Sequence, residues 1–479
     1  MLASAPKFLA AGYIAKFQIS PRLAARSYDG PPAKGTIILA ELVYDKTGRL
    51  LFTKEMKKEY TILVPQMLPD HFAMLVRIIQ NEGYKVEMLG NTGKPVIDAG
   101  QKYVHNDACY PAVLVIGQLI NAVQSGKYDP HKVALVITQT GGGCRASNYI
   151  HMLRKALEKA GLSYVPVISI NLSGLEHNPG FQLTLGILRK AVFAILYGDL
   201  IMNVGNQVRP YEVNPGETDR VAAECVDFLL EGMAQGKGLS YKSMVKNFDR
   251  IIDRFKAIPV TGEEKVRVGV VGEIYVKYAP LGNNNLNEFL LSEGAEPVVP
   301  GLLDFVLFKI YNRDVDVDLY GGKWIKQAVC RFLLRYMKRY QHALIDALKR
   351  SDRFRAPGDF DELHSYIKGY LGDGNKMGEG WLLTAEMLEL IHTGVPNIVC
   401  TQPFGCLPNH IVGKGMIRKL KDDYPWSNIV AIDYDPGATK INQENRIKLM
   451  LANARGLAKE HAAQEAESQQ AREAEPAAV

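Results

Sequence analysis

Val133-Ala134-Leu135-Val136-Ile137-Thr138-Gln139-Thr140-Gly141-Gly142-Gly143-Cys144 is an apolar run that ends in a glycine-rich turn. The run reads as a strand, and it is followed by a helical pattern from Ser147 to Lys159 and a second strand from Pro166 to Ile170. Upstream the same rhythm holds. Thr61-Ile62-Leu63-Val64-Pro65 reads as a strand, Phe72, Leu75, Ile78 and Ile79 mark a helix, Lys85 to Leu89 is a strand, and a helix runs from Pro111 to about Gln124. Strand and helix in alternation predict a parallel α/β sheet.

Further out, residues 181–257 read as helical, broken at Pro210 and Pro215, and Thr261-Gly262-Glu263-Glu264 reads as a linker. A second α/β unit starts at Val266 to Val271 and has strands at Pro297-Val298-Val299, Asn397 to Thr401 and Ile429 to Asp433. Its helices fall at Leu286 to Glu293, Leu382 to His392, about 410–421 and from Ile441. The expected organisation is an N-terminal extension (1–57) with a hairpin around Asp45-Lys46-Thr47-Gly48, a first α/β domain (58–200) and a helical connector (201–262). A second α/β domain (263–458) with a helical insertion (303–371) and a flexible tail (459–479) complete it. The fold class is α/β, with two Rossmann-like or flavodoxin-like parallel-sheet domains carrying helical insertions.

With 479 residues, 47% of them hydrophobic, a large core is available. A net charge of +6 is small for this length and no basic run concentrates it, which argues against nucleic acid. No apolar stretch reaches the length of a membrane span, so a cytoplasmic protein is expected. Six cysteines in so long a chain do not make a disulfide scaffold; a reducing compartment with some thiols kept for metal or redox work is the better reading.

Three cysteines stand where a strand or loop meets a helix: Cys109 in His105-Asn106-Asp107-Ala108-Cys109-Tyr110-Pro111, Cys144 after Gly141, Gly142 and Gly143, and Cys406 in Gln402-Pro403-Phe404-Gly405-Cys406-Leu407-Pro408-Asn409-His410. Open α/β sheets bind ligands at the carboxyl ends of their strands, so the three thiols could share one crevice. Helix N-termini favour thiolates, the glycines permit close backbone approach, and soft thiolates select iron-sulfur clusters, zinc or copper(I). No C-x-x-C pair points to structural zinc. Against each lone cysteine stands a small buried hydrophobe as the plain alternative. For Cys225 and Cys330 that alternative is preferred, and Cys400 is a candidate fourth ligand for which strand core is the better reading.

These segments, with Gly378-Glu379-Gly380-Trp381-Leu382-Leu383 and Ile432-Asp433-Tyr434-Asp435-Pro436-Gly437-Ala438, resemble the cluster-binding loops of the 2-hydroxyacyl-CoA dehydratase family. The likeness is closest to the dehydratase-like portion of the large activase-related proteins and covers about Tyr60 to Leu451. It implies a 4Fe-4S cluster held by Cys109, Cys144 and Cys406, single or part of a double cubane, with one cluster per chain favoured. It also implies low-potential electrons from an ATP-hydrolysing activase, which here is expected on a separate chain, and a homo- or hetero-dimer. In the dehydratases the electron goes to a 2-hydroxyacyl-CoA, which then expels hydroxide. An accessory or electron-relay subunit is the alternative, and a metal-free nucleotide-binding protein a third.

Several neighbours of the thiols carry weaker expectations. His105, Arg145, Asn409 and His410 are candidates for hydrogen-bonding the cluster or carrying protons, with structural roles as the alternative. Gly141 to Gly143 could instead form an anion nest compatible with CoA recognition. Glu379 is read as a helix-start carboxylate rather than an acid or base. Val268-Gly269-Val270-Val271-Gly272-Glu273 lacks the full dinucleotide fingerprint and is read as a turn.

Overall fold

A computed structural model describes residues 41–140, 142–171 and 176–456. Two four-stranded, all-parallel sheets organise them. The first contains β1 (Thr61–Val64), β2 (Lys85–Met88), β3 (Val133–Thr138) and β4 (Val167–Ile170) in the order β2-β1-β3-β4. The second contains β5 (Val266–Gly272), β6 (Ala295–Val298), β7 (Asn397–Pro403) and β8 (Asn428–Tyr434) in the order β6-β5-β7-β8. The order is the same in both, so each sheet reverses its winding between its first and third strands, the place where open α/β sheets put ligands.

Helices cover the faces of these sheets, which explains why the central strands are apolar runs: the first five residues of β3 are buried, as are all but the first of β7. One helix, Tyr110–Gln124, is apolar on all sides and almost wholly buried, as a helix lying inside a core must be. Its side chains belong to a single cluster that takes in Leu63 and Leu135 of the first sheet and Val268, Val399 and Ile432 of the second. The sheets thus share one core.

The sequence did not signal the helix Lys94–Tyr103, and its packing explains why. It meets Tyr110–Gln124 backbone to backbone: a methyl added at Gly100 would lie 2.2 Å from Val113 O, and one at Gly117 would lie 2.3 Å from Val96 O. Contact through glycine leaves little apolar periodicity to read.

A second core joins Leu185–Val208, Glu217–Ala234 and Tyr241–Lys256 to the insertion helices Leu302–Tyr320 and Trp324–Lys349, around Phe193, Tyr197, Phe248, Phe308 and Trp381. Asp199 locks the two groups together. Its carboxylate accepts from the N–H groups of Leu302 and Leu303, both at 2.8 Å, supplying from a distant helix the cap that Gly301 lacks, and His71 Nε2 lies 2.8 Å from its Oδ1.

Other differences from expectation are local. Asn409–Gly413 is a π-helical turn and Lys414–Met416 a 3-10 turn before a short α-helix, Ile417–Asp423, in place of one helix over 410–421. Cys144 precedes a 3-10 turn, Arg145–Ser147, and the α-helix starts only at Tyr149. Of the expected hairpin, the described part is one antiparallel bridge, Tyr44 to Leu50, closed by the Asp45 carboxylate on the N–H groups of Thr47 and Arg49. Its first residues, most of the N-terminal extension, Gly141 and the tail 459–479 lie outside the described residues. Among the described residues no helix is long and apolar enough to cross a membrane.

Candidate metal centre

Matching strands of the two sheets end in matching sequences. β3 leads into Thr138-Gln139-Thr140-Gly141-Gly142-Gly143-Cys144, and β7 carries Thr401-Gln402-Pro403 into Phe404-Gly405-Cys406. In each, Thr-Gln stands at or next to the strand's end and Gly-Cys closes the loop. Cys109 enters between them as the N-cap of Tyr110–Gln124, the helix that precedes β3.

Direct contacts hold the loops together. Tyr110 N–H donates to Phe404 O at 2.9 Å, tying the Cys109 turn to the Cys406 loop. Gly405, at φ +70°, passes so close that a methyl there would lie 3.1 Å from Cys109 Cα. Gly378, at φ +62°, fills the gap between the other two: a methyl would lie 2.9 Å from Pro408 Cγ and 3.8 Å from Cys144 Sγ. Both conformations suit glycine and strain other residues.

A nearby backbone N–H works to lower the pKa of each thiol: that of Ala112 for Cys109, of Ala146 for Cys144 and of Asn409 for Cys406. These N–H groups favour the thiolate, yet burial outweighs them. It pushes Cys109 up to about 11, and Cys144 and Cys406 also upward. The expectation that helix starts would leave these thiols acidic is therefore corrected; desolvation dominates in the metal-free protein. Tyr149 OH lies 2.9 Å from Cys109 Sγ and is buried with it.

The second sheet adds charge. Glu273 follows β5 directly and accepts from Val276 N–H at 2.9 Å, while Glu379 accepts from Ile274 N–H at 3.2 Å, so two carboxylates share one helix start. Burial first, and then the Glu379 carboxylate, push Glu273 up to about 8. Lys309, from the insertion helix, donates to Gly378 O, and burial lowers its pKa. The fields interlock: Cys109 feels Glu273 and Cys144, Cys144 feels Glu379, Glu273 and Lys309, and Cys406 feels Glu379, Glu273 and Cys109.

The other expected residues divide sharply. Cys400 is fully buried among Val271, Met387 and Leu388 of an apolar cluster, with its sulfur 3.7 Å from Asn409 Oδ1. Cys225 lies in the helical core, and Cys330 is half-buried on Trp324–Lys349. Asn409 is fully buried and donates to Thr401 O at 2.9 Å, bracing the Cys406 loop. His105 turns outward and receives the Asp107 N–H on its own ring nitrogen, and Arg145 and His410 are exposed. Gly142 and Gly143 are exposed, with Met377 packed on Gly143.

Glu273, Lys309 and Tyr149 escaped the sequence reading. Glu273 had a signal, since it stands at a strand's carboxyl end just as the cysteine loops do. Lys309, on the face of a long helix, and Tyr149, in the first turn of another, had none.

The donor set fits a soft metal group: three free sulfurs, with no disulfide among the described cysteines. Among the described residues no three His, Cys, Asp or Glu groups are gathered tightly enough to share one metal ion. A four-iron cube takes its thiolates at separate corners, so it needs sulfurs around a space rather than on a point. Compared with the profiles of known protein families, the chain matches none. Among curated proteins, no match is found either.

Proposed function

We propose that Cys109, Cys144 and Cys406 hold a 4Fe-4S cluster, and that the chain acts as a redox protein akin to the 2-hydroxyacyl-CoA dehydratases. One observation carries the reading: two buried or half-buried thiols, Cys144 and Cys406, follow equivalent strands of two parallel sheets, and a third, Cys109, caps a helix whose first turn is bonded to the Cys406 loop. Bound there, a cluster would supply one-electron transfer at low potential. An ATP-dependent activase on another chain is the proposed electron donor and a 2-hydroxyacyl-CoA the proposed acceptor.

The chain's own groups suit that chemistry. With its pKa near 8, Glu273 keeps a proton on its carboxyl at neutral pH, the state required of a group that protonates a departing hydroxide. Lys309 is the ammonium set against the excess of sulfur and carboxyl groups. Cys144, the least buried of the three thiols, marks the open side, and exposed Met377, Phe404 and Leu407 form an apolar rim that limits water.

Anaerobic purification tests the cluster through its colour and its electron paramagnetic resonance signal after reduction. Adding an activase, ATP and 2-hydroxyacyl-CoA thioesters then tests the reaction. Dehydration of a thioester supports the enzyme reading. Reduction of the cluster without turnover selects an electron relay, and a colourless, iron-free protein sinks both.

A further inference from the structure

The helix Trp324–Lys349 carries two apolar stripes. One packs against Leu302–Tyr320: Gln327, Cys330 and Leu334 are half-buried on this side and Met337 is buried, with Gln327 bonded to Asp318 and Arg331 to Asp314. Opposite it run Ile325, Val329, Phe332 and Tyr336, spaced by four, three and four residues, which are 56%, 59%, 64% and 43% exposed. Leu333, 41% exposed, widens this outer stripe, and Trp324, 74% exposed, stands at the start of the helix. A 3-4 spacing on a narrow stripe is the seam into which a second helix packs its side chains. Scattered exposed apolar residues need no explanation, but a contiguous stripe of Ile, Val, Phe and Tyr does.

Charge decides what would cover it. From Gly321 to Ile345 the chain has six Lys and Arg residues and no Asp or Glu. Arg331 and Lys338 are paired with Asp314 and Asp361, and Arg339 stacks on Tyr241. Lys323, Lys326 and Arg335 have no ion-pair partner among the described residues, and by helical spacing Lys326 and Arg335 flank the seam on its two sides. A second copy of the same stripe would set these cations against each other. The mixture of Trp, Tyr and Arg is that of protein interfaces.

We propose that this stripe docks an amphipathic helix of another protein whose apolar seam is flanked by Asp and Glu. Asp316 of Leu302–Tyr320 pairs with Lys376, two residues before Gly378, so the two-helix arm that carries the stripe is tied to the segment that packs beside Cys144. The inference rests on exposure, spacing and charge, and it stands whether or not the thiols bind iron.

The test is a titration of the full chain with a labelled helical peptide of roughly three heptads, carrying leucine in the seam and glutamate on the flanks, and with a twin that has lysine on the flanks. The glutamate peptide should bind saturably and more weakly as salt rises. Phe332→Ser should weaken it about tenfold or more, and Lys326→Glu with Arg335→Glu should switch the preference to the lysine peptide. These residues are exposed, so unchanged near-ultraviolet circular dichroism is expected of the variants and separates docking from misfolding. Equal binding of both peptides, no binding of either, or indifference to Phe332→Ser overturns the proposal. So does a concentration-dependent dimer of the chain alone, or sedimentation with phosphatidylglycerol vesicles, that Phe332→Ser abolishes; these outcomes give the stripe to a second copy or to lipid.

Discussion

The two sheets share a strand order and a strand-end sequence, but their sites are built of different chemistry. The first half contributes Cys109 and Cys144, with Tyr149 beside them. The second contributes Cys406 and a set of buried carboxyls, Glu273, Glu379, Glu386 and Glu389, against the ammonium groups of Lys277 and Lys309. The position before the third strand makes the contrast plain: the helix leading to β3 starts at Cys109, and the helix Leu382–His392 leading to β7 starts just after Glu379. One architecture, used twice, offers soft ligands from one side and proton-holding groups from the other. On the proposed reading, such a division would let electron and proton chemistry meet at a single seam.

Breaking the charged half should produce the largest change in stability. Lys277 Nζ and Glu386 Oε1 are 2.8 Å apart, and both side chains are buried. Lys277→Met strands the carboxylate and should cost about 3–5 kcal/mol in urea unfolding, whereas Lys277→Met with Glu386→Leu should cost clearly less. Equal costs for the single and double variants would mean that the pair does not hold the second half together.

Titration gives the next effect. The folded pKa of Glu273 is about 8, raised from the ordinary 4.5 by burial first and by Glu379 second, and that of Glu389 is about 7, again raised chiefly by burial. Between 4.5 and these values the folded protein holds more protons than the unfolded chain, so this contribution to stability is whole below pH 4.5 and is lost as pH climbs through 7 and 8. Metal-free protein should therefore lose on the order of a few kcal/mol between about pH 5 and pH 9. Glu273→Gln should flatten that slope, and a wild-type slope retained in the variant would remove Glu273 from the account.

A smaller effect sharpens the contrast between the loops themselves. Gly405→Ala forces a side chain into a left-handed turn against the Cys109 backbone and should cost about 1–3 kcal/mol. Gly142→Ala, where a methyl meets nothing within 4 Å, should stay within about 0.5 kcal/mol. Thermal melts of the two variants check the difference, and similar costs would mean that the Cys406 loop does not need its close approach.

Much of this was legible because buried parallel strands are apolar runs with sharp ends. β1, β3, β7 and β8 could be located from sequence, and so could the strand-end thiols, whose Gly and Pro neighbours mark the loops. β6 was placed slightly late, at Pro297 to Val299, since Glu296 near its start hides the run although the side chain is fully buried and paired with the half-exposed Arg355. The partners of the thiols were harder to see. His105, Arg145 and His410 are close to cysteines along the chain, yet turns direct them to solvent. Glu273 and Lys309 come from distant elements that only tertiary packing brings near.

Iron and sulfide counted on anaerobically prepared chain, beside Cys144→Ser, Cys406→Ser and Cys400→Ser, test the central claim most directly. About four irons and four sulfides per chain are expected, nearly all lost in the first two variants, one from each half, and kept in the third, whose sulfur is packed in the strand core. Iron that survives both Cys144→Ser and Cys406→Ser, or that never binds the unaltered chain, would contradict a cluster held jointly by the two sheets.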